Sequence, residues 1–466
     1  MSQKANLVKR TAIYAVGNIG SKVFAYLMTL IYSYYIEPED MGYYDIILTT
    51  VAMIQPLVLF QINDAVYRFL LDEENDRKEL IFSTSISFVV WSVIITCSAL
   101  LFVNLFYPLR FFIYIELYLL SFLFFAFIQD SIRGLSKSKL YAVSGLINSS
   151  ITLIIEIIGL IFLHGGIEVL LLAKAVANFI GLIYIYLNVS ELHNCRVTRF
   201  NKYILFDLIR YSAPLVPNTI GWWIVNSSDR YIILFFLGAS YNGIYSMTNK
   251  FPTILSTLTS VFYLAWQESA IKEYNSPNRD IFFSEVFKKY YRLLFGITII
   301  AIPFITLVIE NLVAAEYSSS WKYVGFLFLG ACYSALSSFL GLGYQISKET
   351  KRSMLSTLFA AFLNIVINVC MISSIGLHAA SISTFVSYMV LFFIRIAHTK
   401  KYFTLSFNKL EFSFMTIINI AFIFILLINN SIAVVILQIS VGVILFTLFN
   451  REIIDVAFNK LKRNTR

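Results

Sequence analysis

Apolar residues run along this chain in blocks of roughly 18 to 28, separated by short stretches rich in Lys, Arg, Asn, Gly and Pro. A helix rises about 1.5 Å per residue, so a block of about 20 residues crosses a hydrocarbon layer of about 30 Å. The pattern predicts fourteen spanning helices, at about 11–36, 44–70, 80–106, 111–130, 139–163, 167–189, 210–237, 241–266, 288–310, 322–346, 353–375, 377–398, 412–429 and 431–450. Two divisions rest on short punctuation only: "GLH" at Gly376 and "INNS" before the last helix.

Composition agrees with the blocks. Of 466 residues, 58% are hydrophobic and 14% charged, where a soluble domain carries about 25% charged residues. The chain therefore reads as an all-α integral membrane protein that crosses the bilayer many times. Lys and Arg test the count through the positive-inside rule. With the N-terminus in the cytoplasm, 30 of the 36 Lys and Arg fall on inner ends and loops; only Arg110 and Lys322 fall outside, and Lys22, Lys174, Arg230 and Lys250 lie within the membrane. The expectation is a multi-pass protein of a cytoplasmic (inner) membrane with both termini cytoplasmic. The net charge of +9 then belongs to loops that face anionic lipid, with no nucleic-acid partner. After Lys9 and Arg10 the first apolar stretch is too long for a cleavable signal, so it is expected to stay as a helix. Cys97, Cys195, Cys332 and Cys370 are far apart, and no metal-ligand spacing occurs.

The sequence also repeats. "YYIEPEDMGYYDIILTT" after helix 1 is similar to "LFFLGASYNGIYSMTNK" after helix 7, with Gly42 matched to Gly243. The offset spans an even number of helices, so the repeats run parallel and imply a pseudo-two-fold axis along the membrane normal. This predicts two pseudo-symmetric six-helix lobes, 1–189 and 210–398. A cytoplasmic linker, 190–209, joins them, either as an amphipathic surface helix or as a plain connection. Helices 13 and 14 with a basic tail fill 399–466.

Charges inside a membrane are costly and face protein or water. Those away from helix ends are Lys22, Asp64, Glu156, Lys174, Asp229, Arg230 and Lys250; Arg68 sits near an inner helix end, and helices 9 to 14 are expected to have no interior charge. If the repeat holds, helices 1, 2, 7 and 8 meet and line a net cationic cavity, with Lys22, Arg230 and Lys250 as candidate substrate contacts. Asp229 is adjacent to Arg230, so the two point about 100° apart on a helix, and Asp229 is expected to be structural. Glu156 and Lys174 lie at matching depth and are expected to pair; Asp64 and Arg68, at i and i+4, likewise. Pro56, Pro252 and Pro303 are expected to kink helices 2, 8 and 9.

"YSAPLVPNTIGWWIVNSSDRYIILFFLGASYNGIYSMTNK" resembles the seventh and eighth helices of the Wzx-like polysaccharide flippases, within the multidrug/oligosaccharidyl-lipid/polysaccharide exporter superfamily. The residues that carry the likeness are Ser212–Leu215, Asp229–Arg230 and Gly243–Ser246, with support from "IEPEDMGYYD" and "DSIRGLSKSKLYA". The resemblance implies a transporter, not an enzyme, with no catalytic residue, metal or cofactor; coupling to an ion gradient or the membrane potential stays open. It implies an undecaprenyl-diphosphate-linked oligosaccharide as substrate, moved from the inner to the outer leaflet of a bacterial or archaeal membrane for surface polysaccharide, beside membrane lipids and a polysaccharide polymerase. A cationic cavity suits a diphosphate. The alternatives are a cation-coupled multidrug exporter of the same superfamily and a membrane polysaccharide polymerase; the short outer loops argue against the second.

The charge split makes a topological test. Reporter fusions after Arg466 and within 268–280 are expected to read cytoplasmic, and fusions at 238–242 external. An external reading at the C-terminus removes the fourteen-span topology.

Overall fold

The computed structural model describes residues 28–72, 75–193, 199–347, 349–452 and 454–455. Among them the chain is helical without strands. It begins with α1 (28–35), α2 (Pro38–Val58), α3 (Ile62–Asp72), α4 (Asn75–Phe106) and α5 (Phe112–Gly134). Then come α6 (Ser138–Ile157), α7 (Ile167–Asn188), α8 (Ser190–His193), α9 (Lys202–Ser212), α10 (Val216–Phe236), α11 (Ala239–Lys250) and α12 (Pro252–Glu273). The chain closes with α13 (Arg279–Leu312), α14 (Trp321–Ile346), α15 (Thr350–Ile375), α16 (Leu377–Thr399), α17 (Lys409–Ile428) and α18 (Ile432–Phe449).

Eleven of the described helices are long and apolar enough to cross a membrane. The other three expected spans have distinct fates. Most of the first lies outside the described residues. The seventh is α10, whose Asn226, Ser227, Ser228, Asp229 and Arg230 make it too polar to count by hydropathy. The eighth is broken at Phe251, where Pro252 cannot donate to the helix ladder, into α11 and α12. The second expected span is also interrupted: α2 ends beyond Pro56, and Phe60 and Gln61 both turn left-handed (φ 46° and 53°) before α3. Two such residues cost about 1–3 kcal/mol each, and here the Gln61 amide is held by the Thr219 hydroxyl at 2.7 Å.

The chain forms two compact units, to Trp223 and from Ile224. In the first, α5 packs on α3 and α7, and α9 lies against α3 and α4. Asn201 caps α9 by accepting from the backbone N–H groups of Tyr203 and Ile204, while Tyr203 and Phe206 stay exposed. In the second, α14 is the central helix and packs against α12, α13 and α16. Its small residues permit that closeness: a side chain at Gly341 would meet the Arg395 guanidinium at 2.7 Å, and one at Gly325 would meet Ile423 at 2.6 Å. An aromatic core fills the space beside it. Phe392 stacks on Phe412 (centroids 5.3 Å apart, 12° between planes), and Tyr333 and Phe295 pack edge-on to Phe412.

Arg395 corrects the expectation that the later helices have no interior charge. It lies one turn inside α16 and is 2% exposed. Its guanidinium donates to the Ser337 carbonyl on α14 (2.8 Å) and the Thr357 hydroxyl on α15 (3.0 Å), and lies over the Tyr344 ring. One planar fork thus joins three helices through neutral acceptors. We expect Arg395→Met to cost about 3 kcal/mol by removing these bonds, lowering the melting temperature of the purified protein. Arg395→Lys should recover little of it, because a point charge cannot reach both acceptors. An unchanged melting temperature in both variants refutes the three-helix tie.

Candidate functional site

Asp229 and Arg230 point in different directions, and Asp229 ties the second unit together. Asp229 is 3% exposed, and its carboxylate accepts three hydrogen bonds from three other helices. Tyr245 Oη on α11 donates at 2.8 Å, Thr384 Oγ1 on α16 at 2.8 Å and Asn368 Nδ2 on α15 at 3.1 Å. A carboxylate without such donors would be prohibitive at this depth. Arg230, next in sequence, is half-buried and directs Nη1 to the Asn226 carbonyl one turn back, at 2.8 Å. The Asn226 side chain in turn accepts from Tyr388 Oη at 2.8 Å. Asn364, one turn from Asn368, extends the network to the hydroxyls of Ser383 and Thr384, both at 3.4 Å.

The same helical spacing seals this cluster. Ile233 lies four residues beyond Asp229, Ile372 four beyond Asn368, and Ala380 four before Thr384. These three pack with the Tyr245 ring, Leu327 and Leu377 into one buried apolar plug. Helices α10, α15 and α16 thus each supply an apolar group a turn closer to the 238 and 376 connections, and α11 supplies the Tyr245 ring. Water from that side is kept off the carboxylate.

The other expected site residues are dispersed among different partners. Lys22 lies outside the described residues. Lys250 is the last residue of α11, half-buried, and its carbonyl accepts from the Thr253 hydroxyl at 2.6 Å across the helix break. Glu156 is buried and accepts from Tyr32 Oη at 2.7 Å, which ties α6 to α1. Lys174, on α7, is half-buried and makes no ion pair with Glu156 among the described residues. Asp64 is exposed and accepts from Gln61 Nε2 (3.4 Å) rather than from Arg68, itself exposed. The neutral members of the Asp229 cluster, Tyr245, Asn364, Asn368 and Thr384, are the residues that a search for charges passes over. Their signal was Asn364 and Asn368 at i, i+4 in an apolar helix.

No group of three His, Cys, Asp or Glu that could hold a metal occurs among the described residues. Asn368, which donates to Asp229 through Nδ2, has its Oδ1 buried without a hydrogen-bond partner. The Asp229 geometry makes a prediction. Asp229→Asn keeps the shape but cannot accept all three bonds, so a stability loss of about 2 kcal/mol is expected. It should appear as a lower melting temperature and less inserted protein. Full abundance and an unshifted melting temperature refute the four-helix tie.

Comparison with known proteins completes the picture. No curated protein sequence matches the chain. Among solved structures, a lipid II flippase, MurJ, in an inward closed conformation superposes with a TM-score of 0.71 at 12% identity, covering 97% of this chain and 99% of that one. A MATE transporter from Vibrio cholerae, VcmN, gives 0.61 at 11% identity over 85% of this chain and 95% of that one. A MOP superfamily transporter from Pyrococcus furiosus gives 0.57 at 12% identity over 84% and 96%. The fold is therefore the MurJ/MATE fold, and with eleven candidate spans among the described residues the chain is a multi-pass membrane protein. Residues 7–266, more than half of the sequence, match the polysaccharide biosynthesis protein family, and the chain belongs to that family.

Proposed function

We propose that the protein is a lipid-linked oligosaccharide flippase. It moves undecaprenyl-diphosphate-linked repeat units from the inner to the outer leaflet of a bacterial or archaeal cytoplasmic membrane, by alternating access, for surface polysaccharide. The observation that carries this reading is the coincidence of a family of polysaccharide biosynthesis with the fold of a lipid II flippase. The division of labour at helix α10 supports it. Asp229 is engaged by donors of its own unit, while Arg230 points elsewhere with five N–H donors and a permanent charge, which suits a diphosphate or an acidic sugar. Lys22 and Lys250 are the further candidate contacts. A polysaccharide polymerase would be the natural partner for the product.

The MATE neighbours keep a second reading, a cation-coupled multidrug exporter. A cationic drug needs an accessible carboxylate. Asp229 is buried behind three donors and an apolar plug, which favours the flippase.

The test is surface polysaccharide in a strain that lacks the native gene, normalised to the amount of protein in the membrane. Arg230→Ala is expected to abolish export at normal abundance, and Arg230→Lys to retain part of it, since charge survives but the two-pronged fork does not. Normal polysaccharide from Arg230→Ala removes Arg230 from substrate recognition.

A further inference from the structure

A cavity of about 610 Å³ opens between α14, α16, α17 and the 400–408 connection. It lies away from the Asp229 cluster and shares no residue with it. Its walls are aromatic: Phe392, Phe407 and Phe412 hold one another in stacked and edge-on contacts, so the space is preformed. Two lysines, Lys400 and Lys409, stand among its lining residues, and both are exposed.

The charges around the opening are unbalanced. Glu349 is taken by Lys401 (2.7 Å) and Arg352 (2.8 Å), and the Lys401 hydrogen bond holds its carboxyl below the usual range. Glu411 is taken by Arg292, whose Nη2 lies 2.8 Å from Oε2, and by Tyr291. Asp280 is taken by Arg279 and Thr404. Every one of these carboxylates already has a cation, and among the described residues Lys400 and Lys409 have none. Both ammonium groups can therefore take an anion from outside the protein. An apolar slot with two ammonium groups among its lining, neither ion-paired among the described residues, suits a lipid that joins an acyl chain to a phosphate.

We propose that this cavity is a binding site for an anionic glycerophospholipid, with an acyl chain against Phe392, Phe407 and Phe412 and the phosphate between Lys400 and Lys409. The site is separate from the transport reading and stands without it.

The test uses the full-length protein, purified and exchanged into mixtures of phosphatidylglycerol and phosphatidylcholine with matched acyl chains; retained lipid is counted by native mass spectrometry. Wild-type protein is expected to keep phosphatidylglycerol over phosphatidylcholine by roughly fivefold or more. The double variant Lys400→Gln, Lys409→Gln should bring that ratio near one. Ser413→Trp, which fills the slot, should lower the retention of both lipids. The same charge removed in the other unit, Lys139→Gln with Lys202→Gln, should leave the ratio unchanged. Excess inorganic phosphate should not displace the lipid. Equal retention of the two lipids by wild-type protein, an unchanged ratio in the Lys400/Lys409 variant, or an equal fall in the Lys139/Lys202 variant overturns the proposal. So does displacement by phosphate alone, which would make this an anion site, or preferential displacement by a polyprenyl phosphate, which would assign it to a different lipid.

Discussion

A carboxylate placed inside an apolar bundle must find its hydrogen-bond donors within the protein. Asp229 is that carboxylate, and its demand shapes the second unit. The donors come from α11, α15 and α16, so four helices have to reach one point. Each of the four helices is fixed in rotation by the side chain it contributes, and once the rotation is fixed the apolar neighbours one turn away are brought together too. The plug of Ile233, Ile372 and Ala380 is thus the geometric consequence of the polar cluster below it. Arg395 repeats the arrangement with the opposite charge: a guanidinium on α16 meets a carbonyl on α14 and a hydroxyl on α15. Neither charge is neutralised by the other. Each is solvated by neutral dipoles, which avoids the geometry-dependent balance of a buried ion pair.

This choice has a consequence for what the cluster exposes. A buried ion pair would lock two helices by a bond that any polar ligand could compete for. Hydroxyl and amide donors hold Asp229 without offering a carboxylate to the solvent. The adjacent Arg230 is left with a different direction and a half-buried setting. Two neighbouring residues of opposite charge therefore meet different surroundings, and the 100° step of the helix is what separates them.

Much of the architecture was legible in the sequence because the blocks of apolar residues had to match the thickness of a bilayer. Helices α4 to α7 and α13 to α18 fall where the blocks predict, with ends shifted by several residues. The repeat register is visible as well: α2 opens at Pro38 and α11 at Ala239, the spacing that separates Gly42 from Gly243. What hydropathy could not show was where helices break. Proline marks the α11–α12 break through Pro252, but at Phe60 and Gln61 no glycine or proline announces the left-handed turn. That turn is stabilised by a contact to Thr219, distant in sequence. The site divides in the same way. Asp229 and Arg230 were legible because charge in a membrane is rare. Tyr245, Asn368 and Thr384 were not, since each is ordinary by itself and only the fold brings the three to one carboxylate. Arg395 was misread because a cation one turn from a helix end looks like a loop residue until its burial is known. Glu156 and Lys174 show the limit of matching depths: equal height on two helices does not make two side chains face each other, and Glu156 turns to Tyr32 instead.

The two breaks differ in a way that bears on motion. Helix α2 runs 21 residues before it ends and α11 only 12. The two helices thus open at matching positions and bend at different ones. In the first, the bend lies beyond Pro56, and its strain is offset by a hydrogen bond from Gln61. In the second, it lies directly after Lys250, so a change of angle at Phe251 moves the base of Lys250 relative to α12 while Tyr245, a turn and a half earlier, stays fixed to Asp229. The polar cluster therefore anchors one side of this hinge, and the candidate cation sits on its edge. Because Lys250 shares a helix with Tyr245, a bend at Phe251 changes the setting of α12 around Lys250 and leaves the buried carboxylate undisturbed.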